Sequence, residues 1–272
     1  DEFMLVLPEV GQEQSRADLA SLCDRLLALM AEPFDLDGHQ VYVNLSLGVA
    51  LYPRDGSDGE TLMRNADTAL YEAKRAGRQT YRCFEPRMND ELARFIQTRD
   101  ALERQEFVLH YQPQVALDTG RVVGVEALLR WQRPGVGLAM PGDFIDVAEE
   151  SGLIAALGTW VLREACRQAA AWRAAGWPDL VMAVNLSAVQ FRRGGIGDEV
   201  LEALAATGLD PAGLALELTE SILLQDAEAV LATVATWKAA GIQLAIDDFG
   251  TGYSSLAYLK RFPVDTLKID RS

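Results

Sequence analysis

Asp247 and Asp248 stand side by side at the end of the largely apolar run Ile242–Ile246. A stretch rich in glycine and hydroxyl groups follows at once: Gly250, Thr251, Gly252, Ser254 and Ser255. Glu126, Asn185, Glu217 and Lys268 are placed near the ends of other apolar runs. Together they offer four carboxylates, an amide and a lysine. Oxygen donors without imidazole or thiolate suit Mg²⁺ or Mn²⁺. Four acids in one place repel one another and raise their pKa values unless cations intervene. Two divalent ions about 3.5–4 Å apart are a standard device for hydrolysing phosphodiesters. One carboxylate must then bridge the ions while its neighbour completes one of them. Successive strand residues point to opposite faces. Asp247 is therefore expected to point into the site, and Asp248 to lie where the strand breaks. Gly250 and Gly252 permit that break, and Thr251, Ser254 and Ser255 can hold the turn by local hydrogen bonds. Singly, each group has a plainer reading. Asp-Asp before a glycine is commonly a solvated turn, Asn185-Leu186-Ser187 a strand-to-helix cap, and Glu217 and Glu220 surface acids. Their joint placement at successive strand ends is what points to chemistry.

The elements that must position these groups show two patterns. In residues 1–84, short strands and helices alternate. Phe3–Leu7 reads as a strand and 12–30 as a helix. Residues 34–53 read as a hairpin turning at Asp37-Gly38. A helix is expected from near Asp58 to Gly77, then a strand at 80–84. The highly charged helical segment 87–105 reads as a connector. From 106 to 272, apolar runs ("VVGVEALL", "LVMAVNLS", "LALELTE", "IQLAIDDF", "DTLKID") alternate with helices such as 153–175. That helix carries Ile154, Leu157, Val161, Ala165, Ala169 and Trp172 on one face. Strands buried on both faces and separated by helices imply a parallel α/β sheet. Open sheets and barrels both fit that rule. Polar groups at five successive strand ends favour a closed barrel, whose strand C-termini share one mouth. Such a barrel takes about 250 residues. The stretch 106–272 supplies 167, so the expected barrel is C-terminally incomplete.

Composition narrows the function. The 272 residues are 49% hydrophobic and 24% charged, with a net charge of −15. That charge argues against broad nucleic-acid binding, which needs a basic face. An anionic ligand can still bind where metal ions sit between it and the carboxylates. Cys23, Cys83 and Cys166 are odd in number and widely spaced, as expected of reduced core thiols in a cytosolic protein. The two histidines, His39 and His110, leave little for a histidine-based triad. No apolar run reaches membrane-spanning length and no signal peptide opens the chain. The expectation is a cytoplasmic chain with no membrane contact of its own, with an anchor further upstream left open.

Several of these residues carry a resemblance. "EALLRW" (Glu126–Trp131), "NLS" (Asn185–Ser187), "ELTE" (Glu217–Glu220), "DDFGTGYSSL" (Asp247–Leu256) and "LKID" (Leu267–Asp270) resemble the EAL-domain cyclic di-GMP phosphodiesterases. "YQP" (Tyr111–Pro113) and "PGDFIDVAEE" (Pro141–Glu150) resemble the same family. The first 84 residues resemble the end of a GGDEF diguanylate cyclase domain. There "DEF" (Asp1–Phe3) is similar to the tail of the signature, and "SLGVALYP" and "ADTALYEAKRAGRQ" follow it, with Gln79 where asparagine is usual. The implied architecture is the C-terminal part of an α+β GGDEF domain over 1–86, a helical linker over 87–105, and a TIM-like (β/α)₈ EAL barrel, incomplete at its C-terminus, over 106–272.

The resemblance also implies roles. Glu126, Asn185, Glu217, Asp247 and Asp248 are implied to hold two Mg²⁺ or Mn²⁺ ions, with Asp247 bridging. Lys268 positions or deprotonates the attacking water, so that Lys268, Glu126 and Asp247 form the catalytic set. Leu128 and Arg130 contact the dinucleotide and Gln112 lines the site. Glu220 anchors the loop after Asp248, which links metal binding to dimerisation in this family. In the cyclase segment Lys74 and Arg78 match triphosphate-contacting positions. Asp1 matches a metal-binding acid, and Glu2 belongs to the same signature. A further metal-binding glutamate and a glutamine of the family fall beyond Ser272. The implied reaction is hydrolysis of cyclic di-GMP to linear pGpG by a homodimer, with GTP as a further ligand of the cyclase part. The rival reading is a cyclic di-GMP receptor without turnover, regulated by a GTP-sensing cyclase segment.

Overall fold

The computed structural model describes residues 3–7, 15–220, 222, 227–250 and 262–270. The chain divides into two compact units, Asp1–Arg94 and Phe95–Ser272.

In the first unit, α1 (Ser15–Leu29) is followed by β1 (Phe34–Leu36) and β2 (His39–Val41), an antiparallel hairpin. Its turn is Asp37-Gly38. Both residues have positive φ, 52° and 84°, which matches the strand twist. β3 (Leu47–Val49) then pairs in parallel with β4 (Tyr81–Cys83), in a separate two-stranded sheet. Between them runs α2 (Gly59–Arg75). Its N-cap is Asp58, whose carboxylate accepts from the Thr61 N–H at 2.8 Å, satisfying one orphan donor of the first turn. Phe3–Leu7 does not form the expected strand. It is exposed and unpaired among the described residues, because an apolar run becomes a strand only where a ladder partner meets it. The segment expected to connect the two halves is helical, as α3 (Arg87–Glu103).

The second unit opens with the antiparallel hairpin β5 (Phe107–Val115) and β6 (Val122–Arg133), with the short β7 (Gly137–Ala139) against β6. After α4 (Ile145–Ser151) and α5 (Leu153–Ala174), the pattern becomes β8 (Val181–Leu186), α6 (Ala188–Arg193), α7 (Ile196–Thr207), β9 (Leu214–Thr219), α8 (Ala227–Ala240), β10 (Gln243–Phe249) and β11 (Thr266–Ile269). The sheet order is β11-β10-β9-β8-β6-β5, parallel from β6 to β11. This is a TIM-barrel-like arrangement. β5 does not stand out as an apolar run in the sequence, since polar residues alternate along it and Pro113 interrupts it. As an edge strand it tolerates both.

Alternation along the parallel strands separates two faces. Val125, Ala127, Met182, Val184, Leu186, Leu214, Leu216, Leu218, Leu244 and Ile246 are buried in one core cluster with α5, α7 and α8, including the fully buried Trp237. The opposite face carries Glu126, Asn185, Glu217 and Asp247. Two positions earlier on each strand, on that same face, stand Gly124, Ala183, Ala215 and Ala245. This layer of small residues lets the strands curl toward the acidic side chains.

Candidate metal centre

Each of the four ligand candidates is placed by the register of its strand. Asn185 lies level with Glu217. Glu126 is level with Ala183, two residues short of Asn185, and Ala245 is level with Glu217, two residues short of Asp247. The set therefore climbs across the sheet, which is the stagger that strand tilt imposes on a barrel. Glu126 is not at the end of its strand, as β6 continues into the hairpin with β7. It lies at the end of the parallel ladder with β8, which spans only Gly124–Ala127.

The side chains converge. One oxygen each of Glu126, Glu217 and Asp247 lies within 4.8 Å of the others. Lys268 Nζ donates to Glu217 Oε2 at 2.5 Å, Asp247 Oδ2 at 3.0 Å and Glu126 Oε2 at 3.2 Å. In a flat sheet β11 and β6 would stand four strand spacings apart, about 19 Å, so the contact between Lys268 and Glu126 requires strong curvature toward this face. The Asn185 amide donates to the other oxygen of Glu126 at 2.8 Å.

Three carboxylates face one ammonium. Glu217 is 2% exposed. Burial above all, helped by the Glu126 and Asp247 charges, pushes its carboxyl up to about 7 against the hydrogen bond from Lys268. Burial works against the Lys268 ammonium, but its bonds to Glu217 and Asp247 and the nearby Glu126 charge outweigh this and raise its pKa. The cluster attracts more positive charge than one lysine supplies. Its donors are hard oxygens, so the residues present fit a divalent cation of the Mg²⁺ or Mn²⁺ type.

Asp248 has φ of +53°, and the register between β10 and β11 shifts between Ile246 and Phe249. Its N–H donates to Asp247 Oδ1 at 2.9 Å. The strand thus breaks its alternation at this residue. A left-handed aspartate is costly, and aspartate and asparagine are among the few side chains that tolerate it. The Asp248 side chain is exposed and stands outside the three-carboxylate group.

Gln112 is directly opposite Glu126 in the antiparallel ladder and so shares its face. Leu128 and Arg130 follow on that face of β6, half-buried, and Arg130 Nη1 donates to the Leu129 carbonyl at 2.8 Å. Glu220 immediately follows β9. The loop it was expected to anchor, with Thr251, Gly252, Ser254 and Ser255, lies outside the described residues, as do Asp1 and Glu2. Lys74 and Arg78 are exposed near the C-terminal end of α2.

Glu149 was not singled out from the sequence. Its carboxylate accepts from Ser187 Oγ at 2.5 Å. The small-residue layer two positions before each ligand was also missed, although "GVE", "AVN", "ALE" and "AID" show it.

The EAL domain family matches residues 97–272, and the diguanylate cyclase GGDEF domain family matches 1–80. The bifunctional diguanylate cyclase/cyclic di-GMP phosphodiesterase MucR of Pseudomonas aeruginosa is 47% identical over 275 residues, all of this chain and 40% of the relative. The cyclic di-GMP phosphodiesterase PdeR of Escherichia coli is 40% identical over 275 residues, again all of this chain and 41% of the relative. The chain thus spans about two fifths of these relatives' length. A solved structure of the PaMucR phosphodiesterase in complex with c-di-GMP is similar with a TM-score of 0.64. It is 51% identical, over 66% of this chain and 72% of that one.

Proposed function

The chain belongs to the EAL domain family, with a GGDEF segment ahead of it, and from that premise we propose that it hydrolyses one phosphodiester bond of cyclic di-GMP, giving linear pGpG. The observation that carries this reading is the convergence of Glu126, Glu217, Asp247 and Lys268 on one point of the concave face. Glu126, Asn185, Glu217, Asp247 and Asp248 would hold two Mg²⁺ or Mn²⁺ ions. Bound there, such ions supply an activated water and neutralise charge on the attacking and leaving oxygens. The chain's own residues do the rest. Lys268 holds three carboxylates in register and presents its ammonium where negative charge develops. Gln112, Leu128 and Arg130 line the face on which the dinucleotide would lie. The left-handed backbone at Asp248 allows two adjacent acids to serve one site.

The wider reading includes a homodimer through the EAL domain, GTP at the GGDEF segment near Lys74 and Arg78, and a cytoplasmic location. Cys23, Cys83 and Cys166 are thiols rather than disulfides, which fits a reducing compartment. No described helix is long and apolar enough to cross a membrane. Light scattering tests the dimer.

The deciding experiment follows pGpG release from cyclic di-GMP by the protein. Mg²⁺ or Mn²⁺ should support turnover, Ca²⁺ should not, and Glu126→Ala should lose several orders of magnitude, each tenfold being about 1.4 kcal/mol. Release in excess chelator, or an undiminished rate in Glu126→Ala, would overturn the reading. Binding of cyclic di-GMP without product would establish the receptor in its place.

A further inference from the structure

We propose that Glu149, Ser187, Gln190 and Gly158 form a positioning clamp that fixes the end of β8, and with it the amide of Asn185, for metal binding. The proposal rests on the two-metal reading above. Asn185 and Ser187 are two residues apart at the end of β8, just before α6. Every hydrogen-bonding group of Ser187 is engaged. Its Oγ–H donates to Glu149 Oε1 at 2.5 Å, and its Oγ accepts from the Val189 N–H at 3.0 Å. Its N–H donates to Gln190 Oε1 at 2.9 Å, and its carbonyl accepts from the Gln190 N–H at 3.1 Å.

Ordinary helix capping explains the bonds to Val189 and Gln190. It does not explain Glu149, which comes from α4, 38 residues earlier in the chain. A charge-assisted bond between a half-buried carboxylate and a cap hydroxyl is stronger than capping requires.

Gln190 is buried, and its Nε2 has no hydrogen-bond partner. That nitrogen lies over Gly158, where an added Cβ would overlap it and come within 2.8 Å of Gln190 Cδ. Glycine inside a helix is disfavoured, and Gly158 is well inside α5. The glycine makes room for the glutamine. The turn after β8 is thus bonded to α4 through Glu149 and packed against α5 where Gln190 meets Gly158. Asn185 is the single neutral candidate ligand, and an amide binds a cation more weakly than a carboxylate. Its oxygen therefore depends most on being held in place, in the way that outer-sphere partners hold ligands elsewhere.

The experiment is a Mn²⁺ titration followed by electron paramagnetic resonance, on the 272-residue chain and its variants, with thermal unfolding of each. Ser187→Ala and Glu149→Gln should each weaken Mn²⁺ binding by roughly tenfold, the scale at which outer-sphere partners act. Ser187→Thr keeps the hydroxyl and should restore most of the affinity. Asp58→Ala removes an equivalent helix cap from α2, in the other unit, and should leave the affinity as in the parent chain. Parent-like Mn²⁺ affinity in both Ser187→Ala and Glu149→Gln overturns the clamp while leaving the two-metal reading intact. Equal weakening by Asp58→Ala also overturns it, since capping stability alone would then account for the effect. No Mn²⁺ binding by the parent chain overturns the metal reading and the clamp together.

Discussion

Lys268 is the residue on which the site's electrostatics turn. Its ammonium meets one oxygen of each of three carboxylates, so removing it leaves those charges facing one another. Lys268→Met should cost the metal-free protein about 1.5–3 kcal/mol, the range for a hydrogen bond to a charged group. Saturating Mg²⁺ should return part of that loss, because a ligand bound only by the native state stabilises it by mass action. Urea denaturation in chelator and in Mg²⁺ measures both. Unchanged stability in chelator would mean that the three bonds are of no consequence to the fold.

At the scale of single elements, two contacts show how strands are held to helices. Asp265, just before β11, accepts from Lys238 Nζ of α8 at 2.7 Å and from the Leu244 N–H of β10 at 2.8 Å. Burial pushes its carboxyl up, but the Lys238 and Leu244 bonds outweigh that and hold it below the ordinary range. The unfolded chain therefore takes up the proton first as pH falls. The contribution is complete above the ordinary value near 3.9 and is lost as pH drops through the lower folded value. Asp265→Asn should lower stability at neutral pH by about 1 kcal/mol. The gap from the parent chain should close in strong acid, as read by urea denaturation at each pH. In the first unit, Gly48 of β3 packs onto α2 so closely that an added Cβ would overlap the Ala66 carbonyl and the Leu70 N–H. Both are backbone atoms that cannot swing away. Gly48→Ala should destabilise this unit by about 3 kcal/mol or more, seen as faster hydrogen exchange over 47–83 with protection over 181–186 retained.

On the scale of the whole molecule, the main run of the curved sheet ends in β5 on one side and β11 on the other among the described residues. Ile269 on β11 is 82% exposed, with Leu267 also exposed beside it, and Val108 and Val115 are exposed on β5. Open apolar edges recruit strands from other chains. This 272-residue chain is expected to self-associate, and Ile269→Lys should raise its monomer fraction in light scattering. Equal association of the two chains would place the contact elsewhere.

Much of this was legible without coordinates. Apolar runs of strand length separated by helical periodicity determined a parallel α/β sheet, and Asp58 and Gly38 marked a helix start and a turn, because these signals are local. The acids at the strand ends were visible as candidates for the same reason. What the sequence could not contain was register. A shift of one residue between β8 and β9 would move Glu217 from the concave face to the helical core, and only pairing across the sheet excludes it. The fate of Phe3–Leu7 was hidden likewise, since an apolar run becomes a strand only when another strand meets it. Lys268 reaches Glu126 across 142 residues because the sheet curls, and Glu149 reaches Ser187 because α4 packs beside the turn after β8. Local chemistry chose the residues, while curvature and pairing, which depend on the whole sheet at once, decided which of them meet.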